Sequence, residues 1–167
     1  KAANWFEEIK TGIERADAFV FIISPDSARS IVCRQEINHA QQHNKRIIPI
    51  LHRELEDETR ELLPQVIHSH NWIFFKEDND FDKNFKELLK TMDTDLEHVR
   101  NHTRFLIRAR EWEQKNKHDD FLLTGQEVTD GDDWLTEGEE KEPKPSDLHY
   151  SYIRASKQQR DRIEAEK

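Results

Sequence analysis

The first 80 residues of the chain alternate between helical and extended hydrophobic patterns. Trp5, Ile9 and Ile13 recur every four residues, so residues 4–15 are predicted to form an amphipathic helix. Residues 18–23 are a continuous apolar run, which is typical of a strand buried on both faces of a parallel sheet. Further strands are predicted at 47–51 and 72–75. Helices are predicted at 24–44 and at 56–69, the second interrupted near Pro64. Because the links between them are short, this alternation predicts a parallel sheet with right-handed crossovers.

Helices on both faces of such a sheet would bury its apolar side chains. The residues expected to be largely buried are Phe19, Phe21, Ile23, Ile48, Ile50 and Phe74. Ser24 is expected to cap the helix after the first strand, with Pro25 at the first helical position and Asp26 complementing the helix dipole. A helix therefore begins where the first strand ends.

The hydrophobic period changes after Asp80. Apolar residues then step by four and three, which predicts one stripe along a long helix, or along two helices broken near Asp93. The stripe of Phe81, Phe85 and Leu89 is interpreted as core packing. A small helical lobe is expected to bury the later apolar residues, which are Trp112, Phe121, Leu122, Leu123, Trp134, Leu135, Tyr150 and Tyr152.

Composition limits the classes of function. The 167 residues have a mean hydropathy of −1.01 and 37% of them are charged, so the apolar core is small for the length. No apolar run approaches the ~18 residues of a membrane span. The single cysteine excludes an intramolecular disulfide and a multi-cysteine zinc site. With a net charge of −9 and no basic face bearing aromatic residues, nucleic acid is a poor ligand, and the expected location is the cytoplasm.

The helix after the first strand carries the candidate chemistry. Ser30, Cys33 and Glu36 are three residues apart and share one helical face. That face is expected near the carboxyl edge of the sheet, where open α/β folds bind ligands. The pattern alone also fits a surface carboxylate at Glu36 and a small packing residue at Cys33.

Two histidine pairs have the spacing of metal ligands on a helix. His39 and His43 are four residues apart, and so are His98 and His102. Neither pair has an acidic third ligand at a recognisable spacing, so no metal site is predicted from the sequence.

Three motifs then occur in order: S-P-D-S at 24–27, S-x-x-C-x-x-E-I at 30–37 and R-I-I-P-I-L at 46–51. Together they resemble the middle of a bacterial Toll/interleukin-1 receptor (TIR) domain, over residues 4 to about 90. The resemblance implies that Glu36 is the glutamate that supports hydrolysis of NAD, with Ser30 and Cys33 lining the pocket. NAD is then a substrate and no cofactor is expected. Val32 stands where the family often has tryptophan.

The second half resembles the helical connector that follows the TIR domain in bacterial multidomain proteins, which often continue into a membrane anchor, WD-type repeats or a STAND-class NTPase. The resemblance rests on H-T-R-F-L-I-R-A-R-E-W-E at 102–113 and on shorter motifs after it. The predicted division is a partial TIR domain at 1–90, a helical connector at 91–142, and a linker with a terminal charged helix at 143–167. Sensor domains are expected elsewhere in a full-length protein.

A complete TIR domain opens with a strand, a helix and a second strand before the helix at 4–15. The resemblance therefore predicts that about 50 residues precede Lys1. The predicted fold class is α/β, a flavodoxin-like parallel sheet lacking its first strands and followed by an α-helical extension. NAD hydrolysis is expected only when the missing segment is restored.

Two functional classes remain open. One is a signalling or defence effector that hydrolyses NAD at the bond between nicotinamide and ribose. The other is a non-catalytic adaptor that acts by self-association with other TIR domains. A weaker third reading is an α/β domain resembling a receiver or a deoxyribosyltransferase, although the first available strand ends in Ser24 and Pro25 rather than in the aspartate that a receiver needs.

Overall fold

The structure is a computed structural model that describes the backbone of residues 2–167 and the side chains from residue 4 onward. It contains two compact units, Lys1–Leu96 and Glu97–Lys167. The elements of the first unit are α1 (Ala2–Arg15), β1 (Ala18–Ile23), α2 (Pro25–Arg29), α3 (Ile31–Gln42), β2 (Arg46–Leu51), α4 (Asp57–Arg60), α5 (Gln65–His68), β3 (Ile73–Phe74) and α6 (Phe81–Asp93). The elements that follow are α7 (Leu96–Gln114), a 3-10 helix (Asp119–Phe121), α8 (Gln126–Gly138) and α9 (Asp147–Ala165).

The described strands form a parallel sheet in the order β1-β2-β3. Ile22 lies opposite Ile50, and Ile50 lies opposite Ile73 in the next strand. All three belong to one face, because paired residues in a sheet point to the same side. The predicted α/β class, with a flavodoxin-like parallel sheet and a helical extension, is confirmed.

The other face of the sheet carries the main core of the first unit. α1 contributes Ile13 to this core, and α3 contributes Ile37 and Ala40. The helix predicted from residues 4–15 is therefore confirmed. Ile9 and Ile13 pack toward the sheet, whereas Trp5 is exposed. The strand residues in the core are Phe21, Ile23, Ile47 and Leu51.

The face of the sheet that carries Ile22, Ile50 and Ile73 is only partly covered at β1. Val20 and Ile22 are 37% and 56% exposed, whereas Ile48 and Ile50 in the next strand are 2% and 8% exposed. The prediction that β1 is buried on both faces is therefore wrong. Among the described elements, α6 packs beside β3, which is the edge strand opposite β1, and there the Asn84 amide donates to the Phe74 carbonyl at 2.6 Å.

Two of the predicted core residues are not fully buried. Phe74 is 47% exposed because β3 has only two residues and forms an edge of the sheet. Phe19 lies against the core and is half-buried. The prediction is correct for the remaining residues, Phe21, Ile23, Ile48 and Ile50.

The apolar stripe after Asp80 lies on two helices, α6 and α7. Asp95 takes a positive φ of 50° between them, a left-handed conformation that interrupts helical geometry. Phe81, Phe85 and Leu89 on α6 are exposed, so their interpretation as core packing is wrong. α6 is held by an edge-on contact between the Phe81 and Phe75 rings and by polar contacts, among them Arg46, whose guanidinium donates to the Thr91 carbonyl at 3.1 Å.

The second unit buries most of the predicted apolar residues among α7, α8 and α9, whereas Phe121 and Tyr150 are only half-buried. Its core residues are Phe105, Ala109, Trp112, Leu122, Leu123, Val128, Trp134, Leu135, Tyr152 and Ile153. The segment before α9 is packed onto this core. His98 donates from Nε2 to the Pro143 carbonyl at 2.6 Å, and His102 donates to the Lys144 carbonyl at 3.1 Å. This histidine pair therefore holds the backbone of the segment that precedes α9.

Candidate functional site

The turn after β1 is fixed by a reciprocal pair of serines. The Ser27 amide donates to Ser24 Oγ at 3.2 Å, and the Ser24 amide donates to Ser27 Oγ at 2.9 Å. Ser27 Oγ also donates to the Ile22 carbonyl at 2.7 Å. Pro25 occupies the start of α2, and Asp26 its first turn, as predicted. Because these bonds join the strand end to the helix start, the carboxyl end of β1 has a defined geometry.

Ser30 begins a second helix where the sequence pattern predicts a continuous one. Its backbone is extended, with φ −75° and ψ 123°, and its Oγ accepts from the Cys33 amide at 3.1 Å. The predicted helix at 24–44 is therefore divided into α2 and α3. A capping serine inside an apolar pattern was the signal for this division.

The predicted site residues occupy the first two turns of α3. Ser30 is half-buried at the cap, with its side-chain oxygen engaged by the Cys33 amide. Cys33 is half-buried and packs against the core of the first unit. Glu36 lies one turn further along the helix. The structure thus places the three residues in succession on one helix.

Glu36 is the chemically available group of this set. Its side chain is half-buried, and it makes no hydrogen bond or ion pair with any residue that the structure describes. Burial raises the pKa of the Glu36 carboxyl. Val32, four residues earlier on the same side of the helix, is 37% exposed and provides an apolar neighbour. Such a carboxylate is free to contact a ligand.

A second polar cluster lies at the opposite end of α3. His39 and His43 are buried there, and the fold brings Glu14 of α1 to His39, with 2.9 Å between Oε2 and Nε2. The Lys45 ammonium donates to the Glu14 carbonyl at 3.1 Å. Desolvation lowers the pKa of Lys45 to about 8, against the opposing effect of Asp17 and Glu14. Sequence analysis missed Glu14, because 25 residues separate it from His39.

The comparison with protein families decides the class of the first unit. The family model described as "TIR domain" matches residues 1–89. The chain belongs to the TIR domain family. No curated protein and no solved structure gives a significant match.

Family membership associates the chain with signalling or defence, the general setting of TIR domains. TIR domains commonly self-associate. Within residues 2–167, no helix has the length and apolar content needed to cross a membrane.

Proposed function

We propose that this TIR domain hydrolyses NAD at the bond between nicotinamide and ribose, with Glu36 as the catalytic carboxylate. The observation that carries the proposal is the half-buried Glu36 side chain, which has no partner among the described residues, on α3, the second helix after β1. In an open α/β fold, ligands usually bind outside the carboxyl ends of the parallel strands.

The reaction needs little from the protein besides negative charge. Nicotinamide leaves as a neutral molecule from a pyridinium, so no general acid is required. The transition state resembles an oxocarbenium ion, and a carboxylate bound to the ribose hydroxyls stabilises the positive charge that develops. Water then adds to the ribose carbon and loses a proton. In this mechanism Glu36 acts by electrostatic stabilisation, and Ser30 and Cys33 line the site.

The ionisation of Glu36 sets the expected pH dependence. Only the carboxylate form stabilises positive charge, and burial raises the pKa of this group. Activity is therefore expected to fall as the pH decreases, with a midpoint above the ordinary glutamate value of about 4.3. A midpoint at or below that value would indicate that a different group controls turnover.

Nicotinamide release tests the proposal directly. Protein expressed from its complete gene is incubated with NAD, and the wild type is compared with Glu36→Gln, which removes the charge and little volume. The variant should lose a factor of roughly 10²–10³ in rate. Glu61→Gln is the matched control, since Glu61 is an exposed glutamate of the same unit and should leave the rate unchanged. Equal turnover by wild type and Glu36→Gln would exclude the catalytic assignment.

A non-catalytic adaptor is the second candidate, since TIR domains commonly self-associate. β1 is an edge of the described sheet, and Val20 and Ile22 present apolar surface beside that edge. Unpaired strand edges and exposed apolar patches promote association. The adaptor function is favoured if signalling by the protein survives Glu36→Gln, and if Ile22→Asp abolishes both signalling and a dimer that sedimentation velocity detects in the wild type.

A further inference from the structure

A buried group of metal-binding side chains joins α1 to the end of α3. It consists of Glu14 from the last turn of α1, His39 from the last turn of α3, and His43, which directly follows α3. Glu14, His39 and His43 are 7%, 8% and 5% exposed, respectively. The two histidines are one helical turn apart, so their imidazoles lie on the same side of α3. Glu14 approaches that side because α1 and α3 pack against each other.

We propose that Glu14, His39 and His43 bind a divalent transition-metal ion, with zinc as the expected occupant. One ligand atom from each residue can be chosen so that all lie within 4.8 Å of one another. Zinc binds imidazole nitrogen and carboxylate oxygen at about 2.0–2.2 Å, which places neighbouring ligand atoms about 3.3 Å apart. Small side-chain rotations would therefore bring the three ligands to tetrahedral positions.

The contacts already made agree with this geometry. His39 Nε2 and Glu14 Oε2 are 2.9 Å apart, and the rings of His39 and His43 are 4.7 Å apart, nearly perpendicular at 72°. Two imidazoles and one carboxylate are a ligand set that zinc uses in proteins, and they leave a fourth position for water or another ligand. Calcium and magnesium are disfavoured, because both prefer sites made only of oxygen ligands.

The position of the cluster gives the ion a structural role. It bridges α1 and α3, which pack on the same face of the sheet, and Glu36 lies three residues before His39 on α3. An ion held by both helices would restrain the helix that carries Glu36. The competing explanation is a metal-free cluster, in which the hydrogen bond from His39 to Glu14 links the helices without an ion.

The test uses the whole chain after treatment with a chelator and dialysis. Zinc binding is measured by titration calorimetry, and cobalt(II) is added separately as a spectroscopic probe. We expect one zinc ion per chain and the intense visible absorption of four-coordinate cobalt. Glu14→Gln, His39→Gln and His43→Gln should each weaken zinc binding at least about 10-fold. His68→Gln, which alters an exposed histidine, should bind as the wild type does.

Hydrogen exchange of the wild-type chain tests the zinc site without requiring that any variant fold. Zinc should slow amide exchange in α1 and α3 relative to the chelated protein, because an ion that binds only the folded state stabilises it. The proposal fails if zinc leaves that exchange unchanged. It also fails if folded variants bind zinc as tightly as the wild type, because the ion would then lie on other histidines.

Discussion

α6 and α7 carry successive halves of one apolar repeat, but only α7 buries its half. On α6, Phe81 and Phe85 are 62% and 43% exposed, whereas Phe105 and Leu106 on α7 are both 0% exposed. The difference arises because α7 shares a core with α8 and α9, whereas α6 has no buried residue and is held by the Phe75–Phe81 ring contact and by polar contacts. An apolar period thus predicts a helix without identifying the surface that covers it.

The largest effect should come from truncating matched phenylalanines of the two helices. Phe105→Ala removes a fully buried ring and should lower the free energy of unfolding of the second unit by about 3–5 kcal/mol. Phe81→Ala removes an exposed ring and should change the stability of the first unit by less than about 1 kcal/mol. Native-state hydrogen exchange measures each unit separately. Similar losses in both variants would show that the α6 stripe is covered in solution.

A smaller difference is expected between the two serine helix caps. Ser146 Oγ accepts from the His149 amide at 3.3 Å and is 2.7 Å from His149 Nδ1, and its residue is 4% exposed. Ser146→Ala should cost about 2 kcal/mol, since water cannot reach the groups that lose their partner. Ser24→Ala should cost about 1 kcal/mol, because Ser24 is half-buried. Urea unfolding checks both values, and equal costs would contradict the effect of burial.

Tyr152 gives the second unit a response to alkaline pH. Its hydroxyl donates to the Phe121 carbonyl at 2.6 Å, and burial raises the pKa of Tyr152. The folded state therefore keeps this proton after the unfolded chain loses it, so stability falls as the pH rises above about 10. Tyr152→Phe should cost about 1 kcal/mol at neutral pH. The gap between wild type and variant should narrow above pH ~10, and a constant gap would contradict this coupling.

The smallest effect concerns Glu36 in the first unit. Because burial raises the pKa of Glu36, its charge disfavours the folded state at neutral pH. Glu36→Gln should therefore stabilise the unit by about a few tenths of a kcal/mol, since solvent screens a half-exposed carboxylate. The gain should disappear below pH ~4.3, where the glutamate is protonated in both states. Urea unfolding at neutral and acidic pH gives the two values, and a destabilised variant at neutral pH would show that Glu36 has a structural partner.

Local chemistry was sufficient to predict strands of the sheet and two of the helix caps. The apolar runs at 18–23 and 47–51 became the parallel strands β1 and β2, and Ser24 forms the expected cap. Ser146 likewise caps α9. These features depend on side chains within a few residues of one another, so the sequence alone contains the information that determines them.

Whether the sheet faces and the apolar stripe of α6 are covered depends on elements that lie far away along the chain. Val20 and Ile22 have the same apolar character as Ile48 and Ile50, yet only the second pair is covered. Hydrophobic pattern measures the tendency of a residue to leave water, but coverage requires another element at that place. The predicted burial of Phe74 failed for the same reason, since it lies at a sheet edge.

The candidate sites show the same division between sequence and tertiary structure. Glu36 could be singled out from its motif, because all of that motif lies within α3 and its cap. The sequence also showed that His39 and His43 share a helical face, but it supplied no third ligand. Packing of α1 on α3 brings Glu14 to His39 across 25 positions of the chain. Helical spacing acts over a few residues, whereas a ligand set drawn from two helices exists only after the chain has folded.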